Sequence, residues 1–255
     1  MNPVRKNRYR TYYLLNYRHS FAIDFSNGAN PVRNKSTHHY TKKSKVSVKK
    51  SEISNGVKVI GITGGFKTGK STVTHILSNL GARVIDTDKL AHRALLPGTD
   101  TYKKIVKEFG KRILNENDRI DRKKLAGIVF NDNKKLKLLN NIVHPYVKKE
   151  LKKRLLEIKR DNPNAIVVVE VPLLFEAGME QIMDKIIVVS ASENKQIERA
   201  KKDISLSEDE IKKRIEAQMP MSKKKELADL EVDNNGSIEK TKRQIEKIWE
   251  KIKKE

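Results

Sequence analysis

Val57-Lys58-Val59-Ile60-Gly61-Ile62-Thr63-Gly64-Gly65-Phe66-Lys67-Thr68-Gly69-Lys70-Ser71-Thr72-Val73 is the stretch on which the fold turns. Val57–Ile62 is an unbroken β-branched run, read as a strand buried on both faces. Ser71–Leu80 continues with helical spacing. Between them, Gly64 to Ser71 fits the pattern G-x-x-x-x-G-K-[ST] in the strand-then-helix context that the pattern requires. Glycines permit a tight loop whose backbone N–H groups turn inward, and the helix N-terminus adds its positive dipole end. Gly64, Gly65, Phe66, Lys67, Thr68, Gly69, Lys70, Ser71 and Thr72 are therefore expected to cradle the phosphates of a nucleoside triphosphate. Lys70 is placed to reach the β- and γ-phosphates, and the Ser71 hydroxyl to ligate Mg²⁺.

Outward from this loop the chain alternates short apolar runs with amphipathic stretches. Arg83–Asp86, Ala165–Val171 and Lys185–Val189 read as further strands, and the weaker run Leu230–Val232 as a fifth. A long helical stretch around residues 134–160 contains Pro145, which is expected to end or kink it and to make His144-Pro145 a junction. Strands alternating with helices predict an α/β fold with a five-stranded, doubly wound parallel sheet, whose ligands lie outside the carboxyl ends of the strands.

Composition sets limits. Of 255 residues, 37% are hydrophobic. The longest apolar runs, such as Ile166–Val169, are far short of the roughly 20 residues of a membrane span, so no membrane partner is expected. Absence of cysteine excludes a disulfide framework, a thiol nucleophile and thiolate metal sites. The net charge of +23 attracts polyanions. Residues 1–56 hold twelve Lys and Arg against two acids and show no periodicity. They read as a basic, disordered extension, leaving 57–255 as the folded domain. Their early Arg, later Ser and scarce acids also match an organelle transit peptide, the alternative to a plain cytoplasmic location. Nucleic acid is not required to explain the charge, because phosphorylated metabolites are polyanions too.

The loop alone does not separate kinases from GTPases. A GTPase needs D-x-x-G followed by a base-reading Asn-Lys-x-Asp, and the D-x-x-G at Asp233–Gly236 has none after it. Asp86 and Asp88 close the second strand facing the loop, placed to handle a hydroxyl proton and hydrated Mg²⁺. Asp88 also suits the N-cap of the helix that follows. Glu170, ending the third strand, suits a water of hydration on Mg²⁺.

Gly61-Ile62-Thr63-Gly64-Gly65, Gly69-Lys70-Ser71-Thr72-Val73, Val84-Ile85-Asp86-Thr87-Asp88, Ala91-His92, Leu95-Leu96-Pro97-Gly98, His144-Pro145, Val171-Pro172-Leu173-Leu174-Phe175-Glu176 and Arg214-Ile215-Glu216-Ala217-Gln218-Met219-Pro220 together resemble the dephospho-CoA kinase family, in order, from about residue 57 to 251. The resemblance implies a P-loop kinase fold with a substrate-side helical insertion and a helical lid at about residues 193–225. It implies transfer of the γ-phosphate of ATP, with Mg²⁺, to the ribose 3′-hydroxyl of dephospho-CoA, the last step of coenzyme A synthesis. By matching position, Asp88 resembles the general base, and Asp86, His144 and Glu176 the substrate-side residues. The Asn234-Asn235-Gly236 turn looks like the loop beside adenine, so Asn235 is expected at ATP. Taken alone, His144 also suits a structural hydrogen-bonder, and Glu176 a cap of a following helix. Two departures stand out. Lys67 occupies a position usually held by a small residue, where a φ above zero costs a non-glycine roughly 1–2 kcal/mol. In the lid, Asp203 falls where an ATP-contacting Arg is expected, which leaves Lys202 or Arg199 as the expected lid cation.

Overall fold

Five strands, β1 (Lys58–Gly64), β2 (Arg83–Asp86), β3 (Ile166–Glu170), β4 (Lys185–Ser190) and β5 (Leu230–Asp233), form one sheet in the order β2-β3-β1-β4-β5. Every neighbouring pair is parallel. This is a computed structural model, and it describes residues 56–129, 132–203 and 207–255; the expectations for the basic extension lie outside the described residues. All five strands predicted from sequence are present, each within two residues of its expected ends.

The uninterrupted apolar runs are explained by burial on both faces. Along β3, Val167 and Val169 enter one apolar cluster and Val168 the other, as a period of two requires. Helices α1 (Lys70–Asn79) and α9 (Ile238–Lys254) cover one face, with Ile245, Trp249 and Ile252 of α9 buried at helical spacing. The other face carries α2 (Thr87–Ala94), α3 (Asp100–Phe109), α4 (Arg122–Val129) and α5 (Asn133–Asp161), the insertion between β2 and β3. Between β4 and β5 lie α6 (Glu193–Asp203), α7 (Glu208–Glu216) and α8 (Met221–Leu227), the stretch expected as the lid.

The expected junction at His144-Pro145 is not there. α5 runs through Pro145 for 29 residues. Leu139, Val143, Val147, Leu151 and Leu155 are buried at four-residue intervals on both sides of the proline. At about 1.5–3 kcal/mol per buried side chain, that stripe outweighs the roughly 3 kcal/mol cost of an interior proline. Pro145 and Asn141, whose carbonyl loses its helical donor, are both exposed, so water can replace the missing bond.

Candidate functional site

The phosphate loop connects the end of β1 to α1, and its shape is fixed by close packing. A Cβ on Gly64 would lie 2.3 Å from the Val189 carbonyl oxygen, and one on Gly69, at φ 95°, would lie 2.1 Å from Asn234 Nδ2. The Thr68 hydroxyl donates to the Gly65 carbonyl and closes the turn. Lys67 has φ 53°, so the loop carries left-handed strain at this non-glycine residue. Ser71 is exposed in the first turn of α1.

Lys70 folds over the loop, its amine donating to the carbonyls of Gly65 (2.7 Å) and Gly64 (3.4 Å). Burial first, then the charge of Lys224, pushes this amine down to about 8, against the pull of Glu170, Asp88 and Glu176. These five groups make a charged cluster where the carboxyl ends of β1 and β3 meet the start of α2. Thr87 fastens α2 there, its hydroxyl donating to the Glu170 carbonyl at 2.9 Å.

Asp86 is the N-cap of α2, accepting from the N–H groups of Asp88 (2.9 Å) and Lys89 (3.2 Å). The capping role expected for Asp88 therefore belongs to Asp86, and the two acids do not share one strand face, since the helix begins at Thr87. Asp88 is 6% exposed in the first turn of α2. It lines a cleft with Asn140, Val143, His144 and Val147 of α5 and Pro172 and Leu173 after β3. Burial, followed by the charge of Lys148, pushes His144 down to about 4, so its imidazole is neutral at pH 7.

That depressed value has a consequence for stability. Below its ordinary pKa the unfolded chain protonates His144 while the folded chain resists. The stabilisation is full above about pH 6.5 and is lost as pH falls through the folded value of about 4. His144→Gln is expected to remove up to one proton's worth of that acid-side slope, about 1.4 kcal/mol per pH unit. Denaturant melts at pH 4.5, 5.5 and 7 check this.

Glu176, expected on the substrate side, belongs to the same charged cluster as Lys70 and is held by an ion pair. Its carboxylate is buried, pairs with Lys224 Nζ at 2.9 Å and accepts from Met219 N at 3.2 Å, tying the turn after β3 to the start of α8. Residues 172–178 form turns, and the short 3₁₀ helix after them, Glu180–Ile182, has Met179 at its N-cap, so Glu176 does not cap it. Lys224 is completely buried, and its amine also donates to the Pro172 carbonyl at 3.4 Å. Lys202, one of the two expected lid cations, is engaged away from the loop carbonyls. It is exposed and pairs with Glu198 at 2.9 Å, one turn back on the solvent side of α6. Arg199 lies on the inner side and clamps backbone, donating to Thr68 O (3.0 Å), Lys67 O (3.4 Å) and Asn234 O (2.7 Å). Asn235 receives the N–H of Ser192 at 2.7 Å, which secures the entry to α6.

A sequence profile of the dephospho-CoA kinase family matches residues 58–240. The chain belongs to the dephospho-CoA kinase family. The dephospho-CoA kinase of Carboxydothermus hydrogenoformans is 46% identical over 195 residues, 76% of this chain and 94% of that protein. The crystal structure of TT1252 from Thermus thermophilus is 33% identical and superposes with a TM-score of 0.67, covering 76% of this chain and 97% of the other. Dephospho-CoA kinase from Campylobacter jejuni is 29% identical, with a TM-score of 0.60 over 78% of this chain and 98% of its own.

Within this dephospho-CoA kinase fold, sequence reasoning overlooked two residues at the loop. Asn234 is buried, donates to Thr68 O at 2.8 Å and accepts from the Thr241 hydroxyl at 2.8 Å, bracing the loop from β5. Arg214 of α7 is 1% exposed, with its guanidinium over the Phe66 ring. Its signal was legible as a charged residue on the apolar stripe of an amphipathic helix.

Proposed function

We propose that the chain transfers the γ-phosphoryl group of ATP to the ribose 3′-hydroxyl of dephospho-CoA, giving coenzyme A and ADP. One observation carries this: a buried carboxylate, Asp88, stands between the charged cluster of the phosphate loop and the cleft lined by His144. The triphosphate lies in Gly64–Thr72, with the turn at Asn234–Gly236 beside the adenine. Asp88 accepts the 3′-hydroxyl proton as that oxygen attacks the γ-phosphorus. The bond from the γ-phosphorus to the bridging oxygen breaks, and ADP leaves carrying the electron pair. Lys70 neutralises charge developing on the transferred group. His144, neutral and partly buried, offers the ribose end of the acceptor a hydrogen bond without a charge.

The donor set fits Mg²⁺ carried by phosphates. The Ser71 hydroxyl opens α1, Glu170 stands in the same cluster as Lys70, and no group of three or more His, Asp or Glu able to hold a metal occurs among the described residues. Ser71 would hold the ion directly and Glu170 through water, and the ion would neutralise the β- and γ-phosphate oxygens. Among the described residues no helix is long and apolar enough to cross a membrane.

ADP release from ATP and Mg²⁺, followed with dephospho-CoA, AMP, dTMP or no acceptor, tests the assignment. Release at least about a hundredfold faster with dephospho-CoA than with either nucleotide is expected, since sites built to hydrogen-bond their substrate discriminate by at least that much. Equal release under all four conditions overturns it.

A further inference from the structure

The residues that α5 turns toward the cleft recur with helical spacing. Asn140, Val143, His144, Val147 and Lys148 stand at i, i+3, i+4, i+7 and i+8 and form one stripe. Around its beginning the helix is apolar, with Leu136, Leu139 and Val143 all buried. Asn140 sits among them and is only 7% exposed. A leucine would suit such a position. Asparagine instead brings a carbonyl acceptor and an NH₂ donor into surroundings that answer neither. Among the described residues the Asn140 side chain makes no hydrogen bond, yet its amide is not sealed from open space, and the open space it borders is the cleft.

Other buried polar groups near the site are bonded within the protein. Asn234 braces the phosphate loop through Thr68 O. On the cleft wall opposite α5, Thr87 gives its hydroxyl to the Glu170 carbonyl. Thr63, at the end of β1, gives its own to the Pro172 carbonyl at 3.2 Å. A buried polar group is almost always paired, so an amide left open toward a cleft points to a partner that the ligand supplies. The order of groups along α5 indicates which part of the ligand that is. Asn140, His144 and Lys148 follow one another at single turns, about 6 Å apart along the axis. Lys148 is the cation of the three and suits an anionic portion of the acceptor. His144 and Asp88 line the cleft together, with the reacting hydroxyl between them. Asn140, uncharged and on the other side of His144 from Lys148, suits a neighbouring neutral hydroxyl.

We propose that Asn140 hydrogen-bonds the ribose 2′-hydroxyl of the acceptor and makes the cleft select a ribose acceptor over its 2′-deoxy form. This rests on the reading of the acceptor as dephospho-CoA. A hydroxyl both donates and accepts, as the amide does, and holding the 2′-oxygen fixes the adjacent 3′-oxygen for attack beside Asp88. Pro172 and Leu173 on the facing wall limit the water that could take the place of the 2′-hydroxyl. An acceptor lacking that hydroxyl would bury the amide unpaired, the circumstance in which a site rejects an analogue missing one polar group most strongly. Asn140 is then a specificity-determining residue that touches the substrate.

The test compares dephospho-CoA with its 2′-deoxy analogue as acceptors for the full chain and for Asn140→Leu and Asn140→Ala. Wild-type protein should favour the ribose acceptor by about tenfold to a hundredfold in kcat/KM, the range of one buried hydrogen bond. Both variants should lose that factor on dephospho-CoA and treat the two acceptors within about twofold of each other. Leucine keeps the volume of Asn140 on an apolar stripe, so Asn140→Leu should melt at or above the wild-type temperature, and Asn140→Ala serves if leucine overfills the cleft. Calorimetric titration with the imido analogue of ATP should give the same affinity for all three proteins. Wild-type turnover of dephospho-CoA with an equal kcat/KM for the 2′-deoxy analogue overturns the proposal and leaves the acceptor assignment standing. Variants that slow equally with both acceptors also overturn it, since Asn140 then only shapes the cleft or meets another part of the acceptor. Absence of turnover with either acceptor in wild-type protein overturns the acceptor assignment, and the proposal with it.

Discussion

Asp88→Asn is expected to lower kcat by about 10²–10⁴-fold, the usual contribution of a positioned general base, while the folded state is nearly unaffected. The separation of the two effects follows from the geometry at the start of α2. Asp86 supplies the cap, receiving the N–H groups of Asp88 and Lys89, so the helix keeps its terminus when Asp88 changes. Asparagine matches aspartate in shape and loses only the charge and the capacity to take a proton. Melting of Asp88→Asn should therefore stay within about 1 kcal/mol of wild type, whereas Asp86→Ala should cost about 0.5–2 kcal/mol as a lost cap. Steady-state kinetics and thermal melts on both variants check this. If Asp88→Asn keeps more than a tenth of the wild-type rate, the base is elsewhere.

Lys70→Ala is expected to cost at least about a hundredfold in kcat, in keeping with removal of one preorganised donor from developing charge. Its pH behaviour is more distinctive. In the free protein the amine titrates near 8, because burial and Lys224 outweigh Glu170, Asp88 and Glu176. Bound phosphates restore the ammonium, so above about pH 8 nucleotide binding must take up a proton. ATP affinity should accordingly fall as pH rises through 8 and level off below it. Arginine stays protonated across this range, so Lys70→Arg should flatten the profile even where it slows transfer. Calorimetric titration in buffers of differing ionisation enthalpy reads the proton uptake directly.

Much of this architecture was legible in the amino-acid order because burial on both faces leaves unbroken β-branched strands. Val57–Ile62 and the G-x-x-x-x-G-K-S loop could be placed from the sequence alone, whereas the φ of 53° at Lys67 came only with the structure. What stayed hidden depends on contacts distant in sequence. Pro145 looked like a helix end, but the buried stripe from Leu139 to Leu155 carries α5 across it. Glu176 and Lys224 meet only because the turn after β3 and the start of α8 adjoin, which no spacing reveals. Asn234 and Asn235 differ by one residue. The register of β5, with Val232 buried, sends the first inward to Thr68 and leaves the second at the surface on Ser192. Arg199 and Lys202 were equivalent candidates on paper. On α6 they occupy different faces, one toward the loop carbonyls and one toward Glu198.

Transfer to one particular oxygen is tested most directly by phosphorus NMR of the product formed from ATP, Mg²⁺ and dephospho-CoA. A new phosphomonoester resonance assigned to the ribose 3′ position, growing in step with ADP and absent with Asp88→Asn, is the expected result. A monoester at the 2′ position, or ADP accumulating with inorganic phosphate and no new ester, would contradict it.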